Sequence, residues 1–247
     1  MRRIAWISVS ALVIALTVSG CGTDDVPEPA PAAATTEASP VAPVAVGTSV
    51  YLRVNRPLTV RKAPSARAAV VTRLAATTEM GSKRVLAVAP ASTETEGWVH
   101  VALPERPNGS TGWVPAAQVR LVPVHDSILI DLSSRKLWLR LKGQEEVETA
   151  IAVGSTKNPT PVGTFYVTDR VKPPNPNGDY GPFALGLSAH SETLTSYGTG
   201  DGQVGIHGTN EPASIGRDVT HGCIRVPNDV SKLLAKVHLG SPVEIRE

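Results

Sequence analysis

Cysteine is nearly absent from this chain: 247 residues hold two, Cys21 and Cys223. Disulfide-stapled folds need a framework of four or more, so that class is excluded. Aromatic residues make up 4% of the chain, so a core must rest on Val, Leu, Ile and Ala. Net charge is also lacking: 24 Lys and Arg against 22 Asp and Glu leave a formal balance of +2. No basic block or aromatic-studded basic stripe is present, which removes the electrostatic footprint of nucleic-acid binding.

What is there begins with a leader. Arg2 and Arg3 precede an apolar run from Ile4 to Val18, a signal-peptide core too short for a comfortable membrane span. The run ends in Val18-Ser19-Gly20-Cys21, which resembles a lipobox. Residues 1–21 are therefore expected to be a lipoprotein signal with Cys21 as the lipidated residue. The resemblance implies an extracytoplasmic protein, lipid-anchored to the cell membrane and facing the cell wall. Residues 22–46 hold five prolines, many alanines and only acidic charges. Such a stretch builds no core and reads as a semi-extended linker.

Residues 47–122 change character. Short apolar alternations (SVYLRV, AVVTRL, GWVHVAL) are punctuated by Pro and Gly, the pattern of a small all-β barrel. Val60-Arg61-Lys62-Ala63-Pro64, Gly97-Trp98-Val99 and Gly112-Trp113-Val114 resemble a bacterial SH3-like domain. That resemblance implies contact with cell-wall glycan or peptide. The simpler reading of Trp98 and Trp113, each beside a valine, is as core residues, because large aromatics dominate small cores.

From residue 124 to 247 the strands lengthen. SILIDL and KLWLRL flank SSRK, which predicts a hairpin, and VETAIAV predicts a third strand. Near the end, Asn228 is a candidate N-cap. Val230, Leu233, Leu234 and Val237 then form one apolar stripe of a helix that Gly240 is expected to stop.

With Cys21 assigned to the leader, Cys223 has no intramolecular partner. An odd cysteine in an exported protein signals an intermolecular bridge or a reactive thiol, although most unpaired cysteines are small buried hydrophobes. Its neighbours are Thr220-His221-Gly222-Cys223-Ile224-Arg225, with His207 sixteen residues upstream. A nucleophilic cysteine needs a base that the fold brings near it, and both histidines qualify. Gly222 leaves room for a substrate carbonyl and backbone N–H groups for an oxyanion. His207, His221 and Cys223 are also zinc-ligand types, but no fourth ligand and no CxxC or HxxxH pair accompanies them.

The stretch IHGTNEPASIGRDVTHGCIRVPN resembles the signature of the YkuD-type L,D-transpeptidase catalytic domain, and Thr160-Pro161-Val162-Gly163-Thr164-Phe165 resembles that family's TPxGTF strand. The resemblance implies a mainly β protein: a small SH3-like β-barrel followed by an L,D-transpeptidase β-sandwich-like catalytic domain with one helix in the C-terminal region. It implies a cofactor-free acyltransferase acting on peptidoglycan stem peptides and forming 3-3 cross-links through a cysteine thioester. Cys223 would be the nucleophile and His207 the general base and acid. The Gly208 carbonyl would orient the imidazole, and Gly222 and Cys223 N–H groups would hold the oxyanion. Thr220, His221, Arg225 and Tyr180 would face substrate. Each has an alternative: Arg225 could pair with Asp229 or another surface acid, and Tyr180 and Tyr197 could belong to solvated loops. Two other functions share this sequence: an L,D-carboxypeptidase trimming tetrapeptide stems, and a non-catalytic wall-binding lipoprotein.

Overall fold

A computed structural model describes residues 49–89, 95–196 and 200–247, so the leader, Cys21, the linker and Tyr197 lie outside the described residues. Seventeen strands and one α-helix are described. The first seven are β1 (Ser49–Val54), β2 (Leu58–Arg61), β3 (Val70–Leu74), β4 (Val85–Ala87), β5 (Trp98–Ala102), β6 (Thr111–Pro115) and β7 (Val119–Val124). They form two small sheets, ordered β4-β1-β7 and β3-β2-β6-β5. Leu52, Leu58, Val60, Leu86, Val101 and Val114 fill the space between them.

The two tryptophans do not join that core. Alternation on β6 turns Gly112 and Val114 inward, and a Cβ on Gly112 would lie 2.3 Å from Val60 Cγ1. Trp113 therefore points outward, paired across the sheet with His100, and the two rings stack at 4.6 Å and 17°. Trp98, opposite Pro115, stands on the same outer face as His100. The expectation of core tryptophans fails because the buried positions of β5 and β6 go to Val101, Gly112 and Val114.

The remaining elements are β8 (Ser127–Asp131), β9 (Lys136–Leu141), β10 (Gln144–Ala150), β11 (Val153–Gly154), β12 (Gly163–Val171), β13 (Ala184–His190), β14 (Gln203–His207), β15 (Asp218–Thr220), β16 (Ile224–Arg225), α1 (Asn228–Leu234) and β17 (Pro242–Arg246). Eight of these strands make one sheet, ordered β10-β9-β8-β17-β12-β13-β14-β16, and β11 pairs with β15. The β8–β9 hairpin is the expected one: Asp131 Oδ1 accepts from the Ser134 N–H at 2.8 Å and from both serine hydroxyls of the turn. Lys142 and Gly143, both at positive φ, close β9 onto β10 as a two-residue turn.

Helix α1 lies on the apolar core with Val230 and Leu234 buried; Val237 is buried beyond its end. The helix stops at Leu234, six residues before Gly240, which turns the chain into β17 at φ +84. Pro227, not Asn228, occupies the cap position, and no side chain caps the helix. Among the described residues no helix is long and apolar enough to cross a membrane.

The two groups of strands share buried surface. Tyr51, Val85 and Val124 from the first pack with Tyr166 of β12, whose hydroxyl donates to the Ala102 carbonyl at 3.2 Å. A Cβ on Gly240 would sit 2.4 Å from the Tyr51 ring. The described residues all fall within one compact unit.

Candidate active site

Strand β14 carries the candidate base to the sheet edge, where it runs parallel to β16 with Ile206 opposite Ile224 and His207 opposite Arg225. Ile206 and Ile224 are both fully buried in the core. Alternation then turns His207, Arg225 and the preceding Cys223 to the other face of the sheet. Cys223 directly precedes β16, and Gly205, two residues before His207 on β14, has no side chain to separate the two. The sulfur is a free thiol, partly buried, and makes a backbone hydrogen bond with Gly205.

His207 is 6% exposed. Its Nδ1 lies 2.6 Å from the Gly208 carbonyl oxygen. A carbonyl can only accept, so the proton sits on Nδ1 and Nε2 keeps its lone pair. Burial is the main reason its pKa falls to about 4; the Gly208 hydrogen bond opposes the fall and the nearby Arg225 cation adds to it. Burial likewise pushes the Cys223 thiol above its usual range, against smaller opposing effects of the Gly205 backbone and Arg225. At neutral pH the resting pair is therefore a neutral imidazole and a neutral thiol. The Tyr180 ring covers the imidazole at 4.8 Å between centroids while remaining exposed itself.

The Gly208 carbonyl is held by an arrangement the sequence did not announce. Asn228 accepts from the Thr209 N–H at 2.8 Å and donates to the Thr209 carbonyl at 2.9 Å, a two-bond amide pair. This use of its carboxamide is why it does not cap α1. Gly181 and Gly208 pass so close beneath Asn228 that a Cβ on either would lie within 2.5 Å of Asn228 Oδ1.

The nucleophile loop is fixed from both sides. Gly222 has φ +112, and its N–H donates to Thr220 Oγ1 at 3.1 Å while its carbonyl accepts from Thr160 Oγ1 at 2.9 Å. Thr220 Oγ1 in turn donates to the Cys223 carbonyl at 2.6 Å. In a trans peptide the carbonyl and the next N–H point oppositely, so anchoring the Gly222 carbonyl directs the Cys223 N–H away from Thr160. Two expectations change. The Gly222 N–H already has an acceptor and is not poised for an oxyanion. Thr220, 3% exposed with its hydroxyl spent on the loop, shapes the site without facing substrate.

The other predicted residues separate. His221 is exposed, and the positive φ at Gly222 breaks the extended run on which it would share a face with Cys223. Arg225 pairs with Glu211 at 2.5 Å rather than with Asp229. Among the described residues no three His, Cys, Asp or Glu side chains converge as a metal site. A cleft of about 540 Å³ opens beside the site, lined by Thr209, Asn210, Pro227 and Asn228 among others. Thr160 was legible as part of a strand motif; its bond to Gly222 was not.

Comparison with known proteins places residues 125–245 in one family. The family profile of YkuD, the L,D-transpeptidase catalytic domain, matches residues 125–245. The YkuD protein of Bacillus subtilis (strain 168) is 38% identical over 125 residues, covering 50% of this chain and 66% of that one. The YkuD protein of Bacillus licheniformis is 34% identical over 151 residues, covering 58% and 83%. Among solved structures, L,D-transpeptidase 3 from Mycobacterium tuberculosis shares 16% identity at a TM-score of 0.41, over 58% of this chain and 77% of that one. The catalytic domain of the E. faecium L,D-transpeptidase shares 26% identity at a TM-score of 0.35, over 49% and 96%.

Proposed function

The chain belongs to the YkuD family of L,D-transpeptidase catalytic domains, and from that premise we propose that it joins peptidoglycan stem peptides into 3-3 cross-links through a thioester on Cys223. The observation that carries the proposal is a neutral, Nδ1-protonated His207 on β14 with Cys223 at the entry to the paired strand β16, its sulfur hydrogen-bonded to the backbone of Gly205 two residues before that histidine.

The steps balance as follows. Cys223 Sγ attacks the carbonyl of the bond joining the third-position diamino acid to D-alanine, and its proton passes to His207 Nε2. The C–N bond breaks, D-alanine leaves with that proton on its amine, and a thioester remains. The side-chain amine of a second stem attacks the thioester, gives a proton to Nε2, and the thiol re-forms. The Gly208 carbonyl holds the ring through this transfer as a triad carboxylate would, without adding a charge. The Cys223 N–H is the donor best directed toward the oxyanion, since the Gly222 N–H is engaged by Thr220. No outside energy source is required, because the bond broken supplies the bond made.

Arg225, held by Glu211 beside both reacting groups, is proposed to meet the carboxylate of a stem peptide. Tyr180 closes the solvent side of the imidazole. The lipobox supports anchoring through Cys21 to the outer side of the cell membrane. The outward row of Trp98, His100 and Trp113 supports wall contact by the SH3-like unit, proposed as residues 47–122.

Incubation with disaccharide tetrapeptide, read by mass spectrometry, tests the reaction. Cross-linked dimers are expected. Tripeptide with no dimer would replace the proposal with the carboxypeptidase reading, and no product would leave the non-catalytic wall-binding one.

A further inference from the structure

The loop between β5 and β6 leaves its own unit and grips the catalytic one. Arg106 Nη1 donates to the Ser191 carbonyl at 2.5 Å, and Nη2 donates to the Leu194 and Asp201 carbonyls, each at 2.8 Å. Two residues on, Asn108 pairs with the backbone of His190, donating to its carbonyl at 2.8 Å and accepting from its N–H at 2.9 Å. The carbonyl of the last residue of β13 and three carbonyls between β13 and β14 thus take donors from a unit 82 to 95 positions earlier in the chain. The fit is tight: Gly202 lies at φ +82, and a Cβ there would meet the Leu194 oxygen at 2.1 Å and Arg106 Nη2 at 2.7 Å.

That segment borders the nucleophile loop. A Cβ on Gly222 would lie 3.9 Å from Ser191 Cβ and 3.5 Å from the Pro159 carbonyl oxygen. Thr193 Oγ1 donates to Asn158 Oδ1 at 3.1 Å, tying the segment to the residues on the other side of Gly222. Ser191 Oγ accepts from the Leu194 N–H at 3.1 Å, and the Ser191 N–H donates to the Gly202 carbonyl at 2.9 Å. A bonded path therefore runs from Arg106 through Ser191 to the backbone beside Cys223. At its base, Tyr51, Val85 and Val124 are buried against Tyr166.

We propose that Arg106, from the N-terminal β unit, is a positioning residue for the stem-peptide site, setting the wall formed by Ser191 and Thr193 beside the nucleophile loop. The catalytic unit is then incomplete alone, and the N-terminal unit serves the reaction as well as any wall contact. A guanidinium suits the task because its planar fork reaches three separated carbonyls at once; an ammonium is a point donor on a flexible stem. The proposal rests on the reading of Cys223 and His207 as the reacting pair.

The test uses the full chain with Arg106→Ala, Arg106→Lys and Asn108→Ala. Arg84→Ala is the control, an arginine of the same unit whose side chain donates to the Ala75 and Thr77 carbonyls of that unit. KM and kcat for disaccharide tetrapeptide are measured beside amide hydrogen exchange at Ser191 and Leu194. In Arg106→Ala, KM rises roughly five- to tenfold with kcat within about twofold, as expected for a displaced binding wall. Both amides exchange faster, Arg106→Lys recovers part of each effect, and Arg84→Ala changes neither. KM unchanged in Arg106→Ala overturns the proposal whatever the exchange shows, and so does unchanged exchange. If the parent protein does not turn over the stem peptide, the assigned reaction fails separately, and faster exchange still supports the clamp. If Arg106→Ala does not fold, Arg106→Lys and Asn108→Ala decide by the same two readouts.

Discussion

His207 donates its Nδ1 proton to the carbonyl oxygen of Gly208, its own chain neighbour, at 2.6 Å. The contact fixes the tautomer without a carboxylate, so the imidazole gains orientation but no neighbouring negative charge. Burial then dominates and keeps the ring neutral down to a pH of about 4.

The pH profile follows from that. Protonated His207 cannot accept the thiol proton, so kcat/KM falls on acidification with a limb near pH 4 rather than near the ordinary histidine value of about 6.5. Stability carries the same signature. The unfolded chain binds a proton at this histidine near 6.5 and the folded chain only near 4, so between those values the unfolded state holds more protons and stability falls as pH falls. Replacing His207 by Gln removes the part of this loss that lies in that window. Urea titrations at pH 7 and pH 5 on both proteins check it. In that variant kcat also falls by roughly a hundredfold or more.

Gly222→Ala meets no clash, its Cβ coming no nearer than 3.5 Å to the Pro159 carbonyl oxygen and 3.9 Å to Ser191 Cβ, but it must hold φ at +112. The backbone term alone costs about 1–3 kcal/mol, read as a lower urea midpoint. Thr160 and Thr220 hold the loop in that conformation, so the folded variant retains measurable activity.

Thr220→Val keeps the shape and removes the hydroxyl. The Gly222 N–H loses its acceptor and the Cys223 carbonyl loses its donor. Leaving these groups unpaired costs about 1–3 kcal/mol. Because the loop carries the nucleophile, kcat/KM falls together with stability. Chemical denaturation and steady-state kinetics on one preparation measure both.

Asn228→Ala removes the two bonds to Thr209 and frees the turn that presents the Gly208 carbonyl. The expected result is a kcat loss of about tenfold or more from misoriented imidazole, with α1 retained because the residue does not cap it. Circular dichroism and kcat check the two halves of this prediction.

Short-range signals carried much of this protein. Alternation around the buried Ile206 and Ile224 turns His207 and Arg225 off the core face, with Cys223 at the entry to β16, and the SSRK turn is closed by Asp131 two residues before it in the chain. The failures are of longer range. Asn228 looked like a helix cap because capping rules consult only chain neighbours, whereas its partner Thr209 is 19 positions away. Size alone puts Trp98 and Trp113 in the core, but the inward phase of β6 is set by Gly112 closing on Val60. Arg106 carried no signal, since the carbonyls it meets are 85 to 95 positions distant.

The most direct measurement is intact-mass and peptide-mapping mass spectrometry of the protein quenched in acid during turnover of disaccharide tetrapeptide. The mechanism predicts an adduct equal to the substrate less D-alanine, carried on Cys223, absent from Cys223→Ala and sharply reduced in His207→Gln. Turnover in Cys223→Ala, or an adduct carried elsewhere in the chain, would contradict it.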